Sequence, residues 1–252
     1  MRPSLVVLLW LAPSLALAQH ASRSIGAPNR GRLEDGVRIA ETEHLVLQPA
    51  STAHFWGTAE LVGLITRAAE GLHEQSPGPR VMVGALSRRR GGRLPPHRSH
   101  QNGRDLDVGY ALTDEDGAPV EARRFVELGE GGCGRDRGVA YCLDASRTFW
   151  LFAALLADPE AGVQWILIAP DLREQVLAAG RRLDVSDDVR ERVALATEPR
   201  AGSEHHRSHF HVRIYCPVDD RPRCVDTAPF HPWYEGEPPR PRRRRGRRPR
   251  RR

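Results

Sequence analysis

Two short windows rich in histidine and aspartate constrain this 252-residue chain more than any other feature. The first window covers residues 97–110, HRSHQNGRDLDVGY, and holds two imidazoles and two carboxylates. The second window, HHRSHFH at 205–211, adds four histidines about a hundred residues later. Imidazole and carboxylate together suit Zn²⁺, and a catalytic zinc takes three protein ligands and leaves one position for water. The sequence therefore predicts a fold that brings the two windows together on one zinc ion.

Each window contains a segment in which polar and apolar residues alternate strictly. From Asp105 to Tyr110 the odd-numbered positions are Asp, Asp and Gly, whereas the even-numbered ones are Leu, Val and Tyr. From His209 to Ile214 the odd-numbered positions are His, His and Arg, and the even-numbered ones are Phe, Val and Ile. Successive side chains of a strand point to opposite faces. The pattern predicts two neighbouring strands whose polar faces together form a site on one surface of a sheet.

Spacing selects three metal ligands from these windows. His100 and Asp107 are seven residues apart with Gly103 at the turn between them, so a loop histidine and a strand carboxylate can reach one ion. His211 completes three ligands, and water takes the fourth place, where zinc would lower its pKa toward neutrality. His209 points to the same side as His211 and is predicted to be the general base or the group that stabilises the oxyanion.

Three further side chains near the predicted ligands have open roles. His97 and His206 lie three residues before His100 and His209, and each is a candidate for an additional ligand, a substrate contact or a donor behind the ligands. Asp105 shares the strand face of Asp107 and is expected to orient a ligand histidine, although a carboxylate that stabilises the turn is an equal alternative.

The two ends of the chain predict export and a basic appendage. Arg2, the apolar run 5–17 and the sequence Ala-Leu-Ala at 16–18 are typical of a signal peptide over residues 1–18, and no later segment has membrane-spanning length. One domain is expected over 19–236, followed by a disordered Arg/Pro-rich tail over 237–252. Residues 240–252 hold ten arginines and no acid, so the net charge of +6 leaves about −4 for the residues before them, which argues against a nucleic-acid-binding fold.

The chain has four cysteines, Cys133, Cys142, Cys216 and Cys224. In an exported protein an even count indicates disulfides, and four cysteines allow three connectivities. The local pairs, 133 with 142 and 216 with 224, are the preferred prediction because each closes a short loop rich in Gly, Pro, Asp and Arg.

Hydrophobic periodicity predicts both helices and strands along the chain. A helix is expected after Thr58 and before Ser76, a second one from Ser146, and two shorter ones over Asp171–Ala179, closed by Gly180, and over Asp187–Ala196. Buried strands are expected over 81–86 and 163–168. Residues 19–57 are expected to form an irregular arm, and residues 113–144 a long loop region pinned by the first cysteine pair.

Two longer strings make a resemblance specific. The segment 84–107, GALSRRRGGRLPPHRSHQNGRDLD, and the segment 206–217, HRSHFHVRIYCP, resemble the penicillin-insensitive murein endopeptidases, and the similarity extends from about Ile25 to Cys224. That family lies in the wider group of lysostaphin-type peptidases, D-Ala-D-Ala metallopeptidases and the hedgehog signalling domain. Its shared pattern is a histidine, a carboxylate seven residues later and a late His-x-His.

The resemblance implies an α+β fold, a small antiparallel sheet with flanking helices and the zinc site on one face of the sheet. It implies zinc held by His100, Asp107 and His211, and that His209 is catalytic. His97 and His206 match family positions near the metal, and we expect His97 to be a further ligand and His206 to take part in catalysis. Asp144 is matched to another acidic residue of the family's site, placed behind the ligands, and Arg147 to a position where the family has histidine. The expected substrate is the D-alanyl–meso-diaminopimelate bond that cross-links peptidoglycan peptides.

The sequence thus predicts a periplasmic zinc metallo-endopeptidase that cuts peptidoglycan cross-links with a zinc-activated water, with no specific nucleic-acid partner. Two alternatives are a D-Ala-D-Ala carboxypeptidase or dipeptidase, which uses the same zinc chemistry, and a peptidoglycan-binding protein without turnover. The arginine tail is a candidate contact for anionic wall polymers or a membrane surface, although such tails are more often simply solvated.

Overall fold

The structure is a computed structural model and describes residues 22–51 and 54–238. It contains thirteen strands, four α-helices and three single-turn 3₁₀ helices among these residues. In chain order the strands and α-helices are β1 (Arg23–Ala27), β2 (Arg30–Glu34), β3 (Val37–Arg38), β4 (Leu45–Leu47), β5 (Trp56–Gly57), α1 (Ala59–Gln75), β6 (Val81–Val83), β7 (Asp105–Val108), β8 (Leu112–Thr113), β9 (Pro119–Val120), β10 (Cys133–Asp136), β11 (Val139–Leu143), α2 (Ala145–Leu156), β12 (Val163–Leu167), α3 (Pro170–Gly180), α4 (Asp187–Ala196) and β13 (Phe210–Ile214).

A five-stranded sheet in the order β12-β13-β7-β6-β4 forms the centre of the protein. Its pairs are antiparallel except for β4 and β6, which run parallel. The apolar side chains of β7 and β13 are fully buried, and Phe210 packs edge-to-face on Phe152 of α2 with ring centroids 4.8 Å apart. One face of the sheet therefore forms the core with the helices, which leaves the polar side chains on the other. The predicted α+β class is confirmed.

The helices form where periodicity and capping predict them. Thr58 accepts a hydrogen bond from the Leu61 N–H and caps α1, whose buried positions repeat at helical spacing. Ser186 caps α4 in the same way through the Val189 N–H, and Pro170 opens α3. Gly180 was expected to stop α3 but is its last residue.

Two segments expected to lack regular structure contain strands instead. The residues before α1 form the β1–β2 hairpin, and β4 joins the central sheet. The region after β7 forms a second sheet in the order β10-β11-β8-β9. The β10–β11 turn consists of Arg137 and Gly138, both with positive φ, which is the geometry that a two-residue hairpin requires. These strands have two to five residues and little apolar alternation, so periodicity does not reveal them.

Both predicted disulfides are present. Cys133 and Cys142 face each other across β10 and β11, and Cys216 and Cys224 close a loop after β13. Of the helices within residues 22–51 and 54–238, none is long and apolar enough to cross a membrane. The predicted signal peptide lies outside the described residues, as does all but the start of the predicted tail.

Candidate metal centre

The register of β7 and β13 brings the two histidine windows together. His211 lies opposite Asp107, and Arg213 lies opposite Asp105, on the polar face of the sheet. His100 precedes β7 in a loop and has a φ of 65°, which is uncommon for a residue other than glycine. Its N–H donates to Asp105 Oδ2 at 2.9 Å, so the carboxylate holds the loop in this conformation. Strained backbone of this kind is concentrated at functional sites.

Three donor atoms converge at the centre of the cluster. His100 Nε2 is 3.3 Å from Asp107 Oδ1 and 3.1 Å from His211 Nδ1, which is itself 3.0 Å from Asp107 Oδ1. His100 Nδ1 lies 2.6 Å from the Leu86 carbonyl oxygen, and His211 Nε2 lies 2.9 Å from Asp105 Oδ1. These outer contacts place the proton of each neutral imidazole away from the centre. Three lone pairs then face one another, an arrangement that a cation between them stabilises.

The charges around His211 also favour a cation at this position. Burial lowers the pKa of His211, but hydrogen bonds to Asp105 and Asp107 outweigh burial and raise it to about 9, so without a metal ion the ring carries a second proton, whose place at the inner nitrogen a metal ion would take. Burial raises the pKa of Asp105, but Arg213 and His211 bring it well below its ordinary value. The two carboxylates therefore stay ionised and stabilise positive charge at the centre of the cluster, so the residues present fit a metal ion.

His97 extends the cluster toward solvent. Its Nδ1 is 3.5 Å from Asp107 Oδ2, and its ring is tilted against that of His100 with centroids 4.5 Å apart. The donor atoms of His97, His100 and Asp107 lie within 4.8 Å of one another, a group that can hold a metal ion. Burial and the neighbouring His100 lower the pKa of His97 to about 4, which leaves a neutral imidazole available as a ligand.

The two remaining histidines of the second window border the donor atoms. His209 Nε2 is 3.7 Å from Asp107 Oδ1, and its Nδ1 is 3.0 Å from the Ser208 hydroxyl. The His206 ring lies 5.5 Å from that of His209 and 5.9 Å from that of His211, and its Nδ1 donates to the Gly202 carbonyl. Burial lowers the pKa of both rings, in His206 to about 4. Two neutral imidazoles therefore stand next to the centre.

Sequence reasoning gave no role to Arg213 or Phe125. Arg213 Nε donates to Asp105 Oδ1 at 2.5 Å, and its guanidinium lies 4.5 Å from the Trp165 ring. Its position on the polar face of β13, beside His211, could have indicated from the sequence that it belongs to the site. Phe125 stacks on His209 with centroids 5.0 Å apart and an interplanar angle of 16°. No pattern pointed to it, because it lies in a segment expected to be loop.

Asp144 lies at the start of α2. Its side chain accepts a hydrogen bond from the Arg147 N–H at 2.9 Å and caps the helix. The Arg147 guanidinium bonds to the carbonyls of Ser76 and Pro79, after α1. Within the described residues neither side chain has a hydrogen bond to the histidine cluster, and a role for Asp144 at the metal stays a prediction.

Comparison with known proteins gives one consistent result. The profile of a family described as penicillin-insensitive murein endopeptidase matches residues 24–127, which include the first histidine window. A penicillin-insensitive murein endopeptidase of Escherichia coli O157:H7 (strain EC4115 / EHEC) is 26% identical over 267 residues, covering 95% of this chain and 90% of its own. The enzyme of that name from Salmonella arizonae has the same identity and coverage. Another from E. coli O17:K52:H18 is 27% identical over 88% of this chain and 79% of its own. The resemblance is confirmed, and the chain is similar to the penicillin-insensitive murein endopeptidases over most of its length.

Proposed function

We propose that this protein is a zinc-dependent endopeptidase that hydrolyses the D-alanyl–meso-diaminopimelate cross-link between peptidoglycan peptides. The observation that carries the proposal is the convergence of His100 Nε2, Asp107 Oδ1 and His211 Nδ1 within 3.3 Å. The names of the relatives support murein as the substrate. The two disulfides support export to an oxidising compartment, here the periplasm.

Two imidazoles and one carboxylate form a donor set that suits zinc. Donors held about 2.0–2.2 Å from a tetrahedral zinc are about 3.3–3.5 Å apart, close to the separations of His100, Asp107 and His211. His97 is a candidate fourth ligand or a contact for the substrate. Zinc bound there would polarise the scissile carbonyl and lower the pKa of the attacking water.

The surrounding residues supply proton transfer and positioning. His209 Nε2 faces the same carboxylate oxygen as the ligands and is placed to take a proton from the attacking water. As water oxygen bonds to the carbonyl carbon and the C–N bond breaks, the same nitrogen can deliver that proton to the leaving diaminopimelate amine. Ser208 at Nδ1 and Phe125 on the ring face hold His209 in position. His206 stands beside this path as a contact for the scissile peptide.

The first test is mass spectrometry of cross-linked muropeptide dimers incubated with the purified protein. Dimers should become monomers, chelation should abolish the reaction, and added zinc should restore it. Asp107→Ala and His211→Ala should each lose activity while remaining folded. His205→Ala is the matched control, because its side chain is 80% exposed and contacts only Glu204 in the described hydrogen bonds and ion pairs.

Two results would contradict the proposal. Release of a terminal alanine with dimers intact would reassign the protein as a carboxypeptidase with the same metal chemistry. No product from a folded, zinc-loaded protein would favour a binding protein without turnover.

A further inference from the structure

The loop between β6 and β7 carries a group of uncompensated positive charges beside the metal centre. Arg104, at the end of the loop, is buried and paired with Asp226. The other five arginines of the loop are exposed, and the described ion pairs include none of them: Arg88, Arg89, Arg90, Arg93 and Arg98. The chain before its tail has a net charge of about −4, so a local excess of positive charge is not a consequence of composition. Uncompensated charge next to a reactive centre indicates an anionic ligand.

Two of these arginines flank a single backbone bridge. Leu94 and His97 form an isolated antiparallel bridge, and Leu94 is fully buried, which anchors the turn between them. Arg93 directly precedes the bridge and Arg98 directly follows it, and both side chains are exposed. Two cations held at the same turn favour an anionic ligand that can accept hydrogen bonds from both.

The two arginines line an open cleft that reaches the metal centre. The cleft has a volume of about 360 Å³, and its lining includes Asn29, Gln101 and His97. His97 also belongs to the metal cluster, since its Nδ1 is 3.5 Å from Asp107 Oδ2. A ligand group in the cleft is therefore separated from the metal centre by one imidazole.

We propose that Arg93 and Arg98 bind the free carboxylate of the diaminopimelate residue on the leaving side of the scissile bond. The inference rests on the proposed function, because it assigns a subsite of the same reaction. In that cross-link one carbon of diaminopimelate carries both the scissile amide nitrogen and a free carboxylate. The carboxylate must therefore lie within a few bonds of the reacting atoms, and the cleft is the space that borders the metal cluster at His97. Arginine pairs with carboxylate through two parallel hydrogen bonds, which adds geometric selectivity.

The test compares two substrates and two sets of variants. The substrates are a muropeptide dimer with the free carboxylate and the same dimer with that carboxylate amidated. The wild-type kcat/KM should be about 10-fold or more higher on the free acid, mainly through KM, because a charge-assisted hydrogen bond is lost on amidation. In the Arg93→Gln/Arg98→Gln variant, kcat/KM for the free-acid dimer should fall to the wild-type value for the amidated dimer. The kcat/KM for the amidated dimer should not change. Arg182→Gln, an exposed arginine after α3, should behave as wild type.

Equilibrium binding separates this inference from the proposed function. Both dimers are titrated into protein whose metal ion has been removed with a chelator, so that turnover is blocked. If the wild type binds the free-acid dimer more tightly than the amidated one and the double variant does not, the subsite is supported. This holds even if the wild type cleaves neither dimer. Equal binding of acid and amide by the wild type, or an equal loss on both substrates in the variant, overturns the subsite even if cleavage is confirmed.

Discussion

Asp105 is fully buried and makes three contacts that fix the metal ligands. One oxygen accepts the N–H of His100, and the other lies 2.9 Å from His211 Nε2 and accepts the Arg213 Nε–H at 2.5 Å. One carboxylate thus sets the backbone of one ligand and the ring orientation of another. Partners behind metal ligands tune affinity in this way because they fix the tautomer and orientation of the ring.

Replacing Asp105 should weaken metal binding without removing a ligand. In Asp105→Asn one oxygen becomes an NH₂ donor, so the side chain can no longer accept from the His100 N–H on one side and from His211 and Arg213 on the other, and zinc affinity should fall about 10- to 100-fold. Competition with a chromogenic chelator measures the dissociation constant directly. Arg213→Gln should act in the same direction with a smaller effect.

The matched control is Arg200→Gln. Arg200 also stacks on Trp165, at 4.7 Å, but has no described contact with Asp105. Equal zinc affinity in wild type and Asp105→Asn would show that the carboxylate stabilises the turn and does not orient the ligand.

At the level of single residues, the alternation of polar and apolar positions is enough to predict that Asp105, Asp107 and His211 share one face of the sheet, as they do. It does not give the distances between them, since these depend on the register of two strands about a hundred residues apart. The stacking of Phe125 on His209 was not predictable for a related reason. Contacts across distant segments leave no local pattern in the sequence.

The segment between α4 and β13 carries His206 and His209, and the Arg207 side chain connects it to other parts of the fold. The Arg207 guanidinium donates to both carboxylate oxygens of Asp171, in the first turn of α3, at 2.8 Å each. Its Nε donates to the Leu128 carbonyl at 2.8 Å. One side chain therefore connects this segment to two other parts of the fold.

Loss of the Arg207 contacts should make His206 and His209 more mobile and change the pH dependence of stability. The hydrogen bonds from Arg207 lower the pKa of Asp171, so its contribution is complete above the unfolded pKa of about 4 and is lost as pH falls through the folded value. Arg207→Gln should cost about 1 kcal/mol at pH 7, because the pair is partly solvated, and less at pH 3. Urea unfolding at both pH values measures the difference, and hydrogen exchange of residues 202–209 should accelerate.

A double-variant cycle provides the control for Arg207. Asp171→Asn should reproduce the loss at pH 7, and adding it to Arg207→Gln should cost little more. Additive losses, or a loss for Arg207→Gln that is as large at pH 3, would contradict a direct ion pair.

Among the elements, the helices were predictable because a cap and a 3.6-residue period act within one segment, as in α1. The strands β8 to β11 were not, because each is short and is stabilised by a neighbour instead of its own pattern. The two-residue turn at Arg137 and Gly138 was the one local signal, and a single Asp-Arg-Gly sequence is a weak indication of a hairpin.

At the scale of the whole molecule, a buried ion pair joins the C-terminal segment to the strand that carries the metal site. Arg104 is fully buried and donates to Asp226 Oδ1 at 2.8 Å and to the Ile214 carbonyl at 2.9 Å. Asp226 also accepts the Cys216 N–H, and the disulfide to Cys224 closes the loop in between. The position of β7 thus depends on a segment more than a hundred residues later.

Removing Arg104 should therefore destabilise the whole protein. In Arg104→Met the buried Asp226 carboxylate loses its ion pair at 2.8 Å and keeps only the longer one, at 3.5 Å, to Arg221 Nη2, at an expected cost of about 3–5 kcal/mol. For a domain of this size that corresponds to a fall in Tm of about 6–20 °C, which calorimetry on the oxidised protein measures. Adding Asp226→Leu removes the buried carboxylate and should recover much of the lost stability, since apolar replacements of buried ion pairs are often neutral.

The control for the buried pair is the exposed one between Arg135 and Glu115, whose side chains are 64% and 68% exposed. Arg135→Met should change stability by less than about 1 kcal/mol, because water already solvates both charges. The double variant could prove as unstable as Arg104→Met alone. The cost would then come from the lost hydrogen bonds to the Ile214 and Val225 carbonyls, and not from the Asp226 carboxylate left without Arg104. Recovery of stability together with weaker zinc binding would show that Arg104 fixes the position of the metal ligands as well as pairing a charge, since its backbone directly precedes Asp105 in β7.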